Sequence, residues 1–138
     1  MRKTKVDFTK EKVFEIAEKY NLVWESCDKE GDYYLCRFFL PTGFVDDIDE
    51  DGERDDLFSF DEKDIIKNGN YIKIYDSYTV KSKTNLFKVE YDEWTSVYTN
   101  EELERVVAHM VRCGAKWKKA RREFEEEQKL MEAQKDFT

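Results

Sequence analysis

Hydrophobic positions near the start of the chain recur with the period of a helix. Val13, Ile16 and Tyr20 are three or four residues apart, so they fall on one helix face. Thr9 precedes them, and its side chain can accept a hydrogen bond from the free amides of a first turn. The pattern predicts a helix that begins near Thr9 and ends near Asn21.

The middle of the chain has the pattern and composition of β-strands. The segments LVWESC (22–27) and DYYLCRFFL (32–40) flank the turn-like DKEG, which predicts a hairpin. LFSF (57–60) also has strand composition. The strongest candidates are YIKIYDSYTVK (71–81) and LFKVEYDEWTSVY (86–98), in which apolar residues alternate with polar ones. The SKTN region between them is suited to a tight connection.

The last apolar pattern predicts one long helix, over about residues 100–134. Thr99 and Glu102 form the T-x-x-E capping box that starts a helix. An apolar residue then recurs at every seventh position, at Leu103, Met110, Trp117, Phe124 and Met131. Such a helix is about 50 Å long, longer than a small domain is wide. We expect its first half to pack on the sheet, and its end either to protrude or to be bent back at Gly114.

Together these elements predict an α+β fold: an N-terminal helix, an antiparallel sheet of about 4–5 strands and a long C-terminal helix packed on the sheet. A length of 138 residues favours one domain, residues 1–138. Aromatic residues make up 15% of the chain, which supplies a core without disulfides or metal. Charged residues make up 41%, far above the usual quarter, so the surface must be densely charged.

Acidic residues are concentrated in the first part of the chain. The formal net charge is −8, and residues 100–138 contain nine acidic and nine basic side chains. The whole acidic excess therefore lies in residues 1–99. This balance disfavours non-specific attraction to nucleic acid or to an anionic membrane, and it favours a basic protein partner.

The most acidic segment is FVDDIDEDGERDD, residues 44–56, where only Arg54 opposes the carboxylates. Three interpretations remain open. The simplest is an acidic turn with Asp51-Gly52 at the tip of a hairpin. The others are an acidic binding surface and a Ca²⁺ site. A binding surface would present to a basic partner the side chains of Asp46, Asp47, Asp49, Glu50, Asp51, Glu53, Asp55 and Asp56.

The calcium interpretation rests on the pattern D-x-D-x-D-G, which resembles the opening of an EF-hand loop. The carboxylates that would hold Ca²⁺ are those of Asp47, Asp49, Asp51 and Asp55. Phe58 stands where that loop needs its bidentate glutamate, and the positive charge of Arg54 opposes a cation. Calcium is therefore the weakest of the three interpretations, and no other cofactor is expected.

The last helix offers further hypotheses. Its apolar residues Trp117, Phe124 and Met131 could pair two copies of the chain as a homo-oligomer. The basic run 116–122 could contact phosphates, but the acidic run 123–127 follows at i, i+4 spacing, so direct nucleic-acid binding is disfavoured. His109 and Cys113 are four residues apart and could form half of a zinc site, although burial is the better interpretation.

Several function classes lack their signatures in this sequence. It contains no P-loop, no G-x-G-x-x-G and no G-x-S-x-G, so we expect a protein that is not an enzyme. No apolar run approaches the length of a membrane span, so no membrane association is expected. Three cysteines without close pairing suit reduced thiols, and no signal peptide is visible, which predicts a cytoplasmic location.

The leading functional hypothesis is a protein-interaction module whose acidic part binds a basic, nucleic-acid-binding partner. Carboxylates on a rigid scaffold can imitate the phosphates that such a partner neutralises. In its profile (small, acidic, rich in aromatic residues, with an α+β pattern) the chain resembles phage-encoded inhibitors of bacterial defence, including anti-CRISPR proteins. The resemblance lies in this profile rather than in a motif, and it implies inhibition by nucleic-acid mimicry.

Overall fold

The α+β fold is confirmed by a computed structural model that describes residues 8–29, 33–41, 56–61, 65, 69–84 and 86–135, with the backbone alone at 26–29 and 33–35. The elements in chain order are α1 (Lys10–Lys19), β1 (Val23–Lys29), β2 (Tyr33–Phe39), β3 (Phe58–Phe60), β4 (Ile72–Tyr75), β5 (Tyr78–Lys83), β6 (Leu86–Tyr91), β7 (Trp94–Val97) and α2 (Asn100–Lys135).

Both predicted ends of α1 are confirmed. The Thr9 hydroxyl accepts a hydrogen bond from the Lys12 N–H at 3.2 Å, which caps the first turn. Asn21 follows the helix with a φ of 57°, the left-handed conformation that asparagine tolerates and that ends a helix. Val13 and Ile16 lie in the buried face between these ends.

Five strands of the described chain form one antiparallel sheet in the order β1-β2-β3-β4-β7. The predicted first hairpin is confirmed, with Val23 opposite Phe39 and Lys29 opposite Tyr33. The strand predicted from LFSF is β3, which pairs with both β2 and β4. Strands β1 and β7 are the two edges of this sheet.

The two segments expected as single long strands are each divided in two, which corrects that prediction. Ile72 is opposite Val97 where β4 pairs with β7, and Tyr78 is opposite Tyr91 where β5 pairs with β6. The register is the same in both places, so the four strands form one long hairpin. Its first part belongs to the sheet. Its second part, β5 and β6, is a separate two-stranded unit that we call the arm.

The strands of the hairpin are interrupted at Asp76-Ser77 and Asp92-Glu93. Two backbone bonds continue across the break, from the Asp76 N–H to the Glu93 carbonyl and from the Asp92 N–H to the Ser77 carbonyl, both at 3.0 Å. The Ser77 hydroxyl accepts a third bond, from the Glu93 N–H at 2.8 Å. Aspartate, serine and glutamate are weak strand formers, so the ladder is interrupted here while the register is kept.

The helices cover one face of the sheet and enclose the core. Phe14 of α1 packs edge-on against Trp24 of β1 at 5.0 Å and against Phe38 of β2 at 5.4 Å, measured between ring centroids. Side chains of β4, β7 and α2 complete the buried cluster: Ile72, Ile74, Val97, Leu103, Val107 and Met110. The opposite face of β4 and β7 is left outside this core.

Helix α2 begins at the predicted capping box and runs without a break through Gly114. The Thr99 hydroxyl accepts a hydrogen bond from the Glu102 N–H at 3.1 Å. The Glu102 carboxylate accepts one from the Tyr98 N–H at 3.3 Å, one residue before the position that a capping box usually serves. The helix extends to Lys135, close to the predicted end at about residue 134.

The second half of α2 packs against the arm rather than against the sheet. Aromatic contacts join Tyr78 with Trp117 (4.1 Å between ring centroids) and Phe87 with Phe124 (5.7 Å). The Arg121 guanidinium also lies over the Phe87 ring, 5.6 Å from its centroid, and the Gln128 side-chain amide donates a hydrogen bond to the Thr84 carbonyl at 2.6 Å. Residues 129–135 are all exposed. The end of the helix therefore extends past the tip of the arm.

One electrostatic contact ties α1 to α2. The Glu104 carboxylate accepts hydrogen bonds from the Lys19 ammonium and from the Tyr20 hydroxyl. These bonds, with that of Lys19 the larger cause, hold the pKa of Glu104 below its ordinary range. The same carboxylate raises the pKa of Lys19.

Candidate functional site

Most of the predicted acidic binding surface lies outside the described residues: Asp46, Asp47, Asp49, Glu50, Asp51, Glu53 and Asp55. These include all four predicted Ca²⁺ ligands. Asp56 is described, and its carboxylate lies 3.7 Å from the Arg37 guanidinium, with both side chains about four-fifths covered. Arg37 also lies over the Phe39 ring, 5.2 Å from its centroid. Asp56 is thus an ion-paired carboxylate at the margin of the sheet.

The three residues predicted to mediate self-association have different environments. Trp117 is 3% exposed and lies in the core against Tyr78. Phe124 is half-buried against Phe87. Met131 is exposed at 43%, next to Leu130 at 65%. The apolar side chains that α2 offers to a second copy are therefore those near its end.

The His109–Cys113 pair lies on α2 with its ring nitrogen Nε2 and Sγ 3.7 Å apart. Within the part of the chain that the structure describes, no third histidine, cysteine or carboxylate joins a group able to hold a metal ion. Cys113 is buried, as expected, but His109 is exposed, so the expected burial is wrong for the histidine. Cys36 is buried in the sheet core. The pair is a helix-surface contact at the margin of the core.

Two half-exposed aromatic side chains lie on the outer face of the sheet, at the edge formed by β7. Trp94 is 52% exposed and Tyr98 is 54% exposed. The Lys73 ammonium lies 4.4 Å from the Trp94 ring centroid, and the ring of Tyr71 lies 5.9 Å from that of Tyr98. We call these four residues the aromatic edge. Exposed tryptophan and tyrosine side chains are typical of protein-binding surfaces.

Carboxylates flank the aromatic edge at both ends of β7. Asp92 and Glu93 precede the strand, and both are exposed. Glu101 and Glu102 follow it in the first turn of α2. Strand β7 itself, Trp94–Val97, carries no charge. The uncharged strand β7 thus has carboxylates at both ends, an arrangement that can bind a cationic segment by ion-pair contacts.

The sequence contains a signal for this edge that alternation alone does not reveal. WTSVY, residues 94–98, is an uncharged run in a chain with 41% charged residues. Such a run suits a central strand as well as an edge strand. Only the strand order, which depends on contacts between distant segments, shows that this one lies at an edge.

Comparisons with known proteins add no function to this geometry. No family model, no curated protein and no solved structure matches the chain. Among the described residues, no helix is both long enough and apolar enough to cross a membrane.

Proposed function

We propose that this protein is a non-enzymatic interaction module that binds a basic protein partner of the nucleic-acid-binding kind. The observation that supports it most is the aromatic edge, where half-exposed Trp94 and Tyr98 are flanked by carboxylates. This edge belongs to the part of the chain that holds the whole acidic excess. Aromatic side chains supply binding energy in interfaces, and complementary charge supplies association rate and partner choice.

Such a surface would occupy the site at which the partner ordinarily binds nucleic acid. Its lysine and arginine side chains neutralise phosphates, and a protein that presents carboxylates competes for the same cations. The proposed outcome is inhibition, as in phage-encoded proteins that imitate nucleic acid. A cytoplasmic location follows from this proposal, because a nucleic-acid-binding partner is found there.

The test is a comparison of two variants with the same change in charge. One replaces Asp46, Asp47, Asp49 and Asp51 with asparagine. The control replaces Glu123, Glu125, Glu126 and Glu127 with glutamine, in the part of the chain where acidic and basic residues balance. Basic proteins captured by the wild type are purified, and their dissociation constants are measured over a range of salt concentrations.

We expect the first variant to bind more weakly and with a flatter salt dependence, since fewer counter-charges remain to be paired. The control should bind like the wild type. Equal affinity of the asparagine variant and the wild type at every salt concentration would contradict a binding role for the acidic segment.

A second candidate function is self-association through the end of α2. The exposure of Leu130 and Met131 favours it, because both apolar side chains lie beyond the arm. Light scattering at high protein concentration tests this function. A dimer that is lost when both residues are replaced with lysine would support it, and a monomer at all concentrations would contradict it.

A further inference from the structure

We propose that the open edge of β7 takes up an extended segment of the basic partner as an additional strand of the sheet. This inference rests on the proposed function, and it names the kind of segment that is bound. The segment has an uncharged centre of about four residues, matched to β7, with lysine or arginine at both ends. Peptides commonly bind to sheets in this way, through main-chain hydrogen bonds.

The direction of the backbone groups follows from the hydrogen bonds of β4. The Tyr75 N–H donates to the Leu57 carbonyl at 3.2 Å, so Tyr75 points its backbone groups away from β7. Because successive residues of a strand point in opposite directions, Ile74 and Ile72 point toward β7. Their partners there are Thr95 and Val97, which are therefore bonded inside the sheet.

The alternate residues of β7 point outward. The N–H and carbonyl groups of Trp94 and Ser96 lie on the side away from β4, and among the described residues no hydrogen bond is made to them. The next outward N–H, that of Tyr98, is already bonded to the Glu102 carboxylate at 3.3 Å. The edge thus offers two donors and two acceptors in the spacing of a β-ladder and ends where α2 begins.

The other edges in the described chain carry charges that oppose pairing. Strand β1 contains Glu25, Asp28 and Lys29, and β5 contains Lys81 and Lys83. Charged side chains are a common protection of edge strands against pairing with another chain. Strand β7, with the sequence WTSV, has none of this protection, and its residues favour strand structure.

Charge decides between a second copy and a basic partner. If two copies paired through β7, each end of one strand would lie beside an end of the other, and each end carries carboxylates: Asp92 and Glu93, or Glu101 and Glu102. Both parallel and antiparallel pairing would therefore bring like charges together. A segment with basic ends meets opposite charge at both places, whichever direction it takes.

The test uses a fluorescent peptide with a Thr-Val-Thr-Val centre and an Arg-Lys pair at each end. Three variants of the protein are compared. Ser96→Pro removes an outward N–H without touching the bonds to β4, a position where edge strands tolerate proline. Ser96→Ala is the control that keeps the N–H. The asparagine variant at 46, 47, 49 and 51 probes the acidic segment separately.

We expect Ser96→Pro to weaken peptide binding about tenfold, as the loss of a backbone hydrogen bond implies, and Ser96→Ala to bind like the wild type. A second measurement leaves the protein unchanged. In the wild type, saturation with the peptide should slow hydrogen exchange of the Trp94 and Ser96 amides about tenfold. A peptide with N-methylated central residues should not produce this effect.

The outcomes separate this inference from the proposed function. Unchanged exchange at Trp94 and Ser96 on peptide binding would overturn strand addition. If the asparagine variant still lost affinity, the acidic segment would remain the binding surface. Loss of affinity in Ser96→Pro alone would support the edge and contradict a role for the acidic segment. Dimers of the free protein that Ser96→Pro abolishes would also overturn the proposal, because the edge would then hold a second copy.

Discussion

Trp117 lies where the sheet core meets the arm, and its replacement tests how the two are joined. Its side chain is 3% exposed and packs against Tyr78, yet its indole Nε1 is buried without a hydrogen-bond partner among the described residues. Trp117 therefore makes two opposite contributions to the free energy of folding. The apolar area of the ring stabilises the fold, and the unpaired N–H costs free energy.

The two contributions predict different results for two substitutions. Trp117→Ala removes the whole ring and should cost about 3–5 kcal/mol. Trp117→Phe leaves a smaller cavity, which costs about 1–2 kcal/mol, but it also removes the unpaired donor, which regains about 1–3 kcal/mol. We therefore expect Trp117→Phe to lie within about 1 kcal/mol of the wild type.

Thermal and urea unfolding followed by circular dichroism measure both variants. With an unfolding entropy of about 2.1 cal/mol/K per residue, a chain of 138 residues loses about 3.5 °C of Tm for each kcal/mol. Trp117→Ala should then lower Tm by about 10–17 °C and Trp117→Phe by less than about 4 °C. Equal losses in both variants would refute the reasoning, since they would show that the indole N–H makes a stabilising bond.

Three further predictions concern the helix contact, the arm and the acidic segment. Glu104→Gln should destabilise the protein at neutral pH. Because the pKa of Glu104 is lowered in the folded protein, its carboxylate stabilises the fold above the ordinary glutamate pKa. This stabilisation is lost as pH falls through the pKa of the folded state, so the Tm curves of variant and wild type should converge in acid. The raised pKa of Lys19 adds stability that is lost as pH rises through its folded value, so the curves should also converge at high pH. Phe124→Ala should speed hydrogen exchange about tenfold in the arm but not in β1 and β2, because the contact with Phe87 is local; uniform changes would contradict a separate arm. Tm should be the same in EDTA and in Ca²⁺, because a phenylalanine replaces the bidentate glutamate of a calcium loop; a rise of several degrees with Ca²⁺ but not Mg²⁺ would make residues 47–55 a metal site.

Local signals predict the elements of this fold well because each depends on residues close in sequence. The hydroxyls of Thr9 and Thr99 each bond an N–H three residues further along the chain. The strands β1 and β2 are neighbours in the sequence and pair with each other. The interruption of the strands at Asp76-Ser77 could not be predicted in the same way. The hairpin register is the same on both sides of it, so apolar and polar residues alternate there as they would in one continuous strand.

The seven-residue apolar repeat of α2 shows a second limit of sequence reasoning. Its five positions are equivalent by period, but their environments change along the helix. Leu103, Met110 and Trp117 lie in the core, Phe124 rests on the arm and Met131 is exposed. The period of the repeat predicts which residues share a helix face. It does not predict how far along α2 the packing against the sheet and the arm extends, because the arm comes from a distant segment.

The aromatic edge is the site that sequence reasoning missed, and its composition still carries a physical argument. In a chain with 41% charged residues, an edge strand without a charge departs from the way that soluble proteins protect their sheets. Strands β1 and β5 in the same molecule carry such charges. An open edge that combines half-exposed aromatic rings with two outward-facing N–H groups exposes the chain to unwanted pairing. The carboxylates at both of its ends oppose the pairing of two copies through β7, and in the proposed binding mode the same charges favour a segment with basic ends.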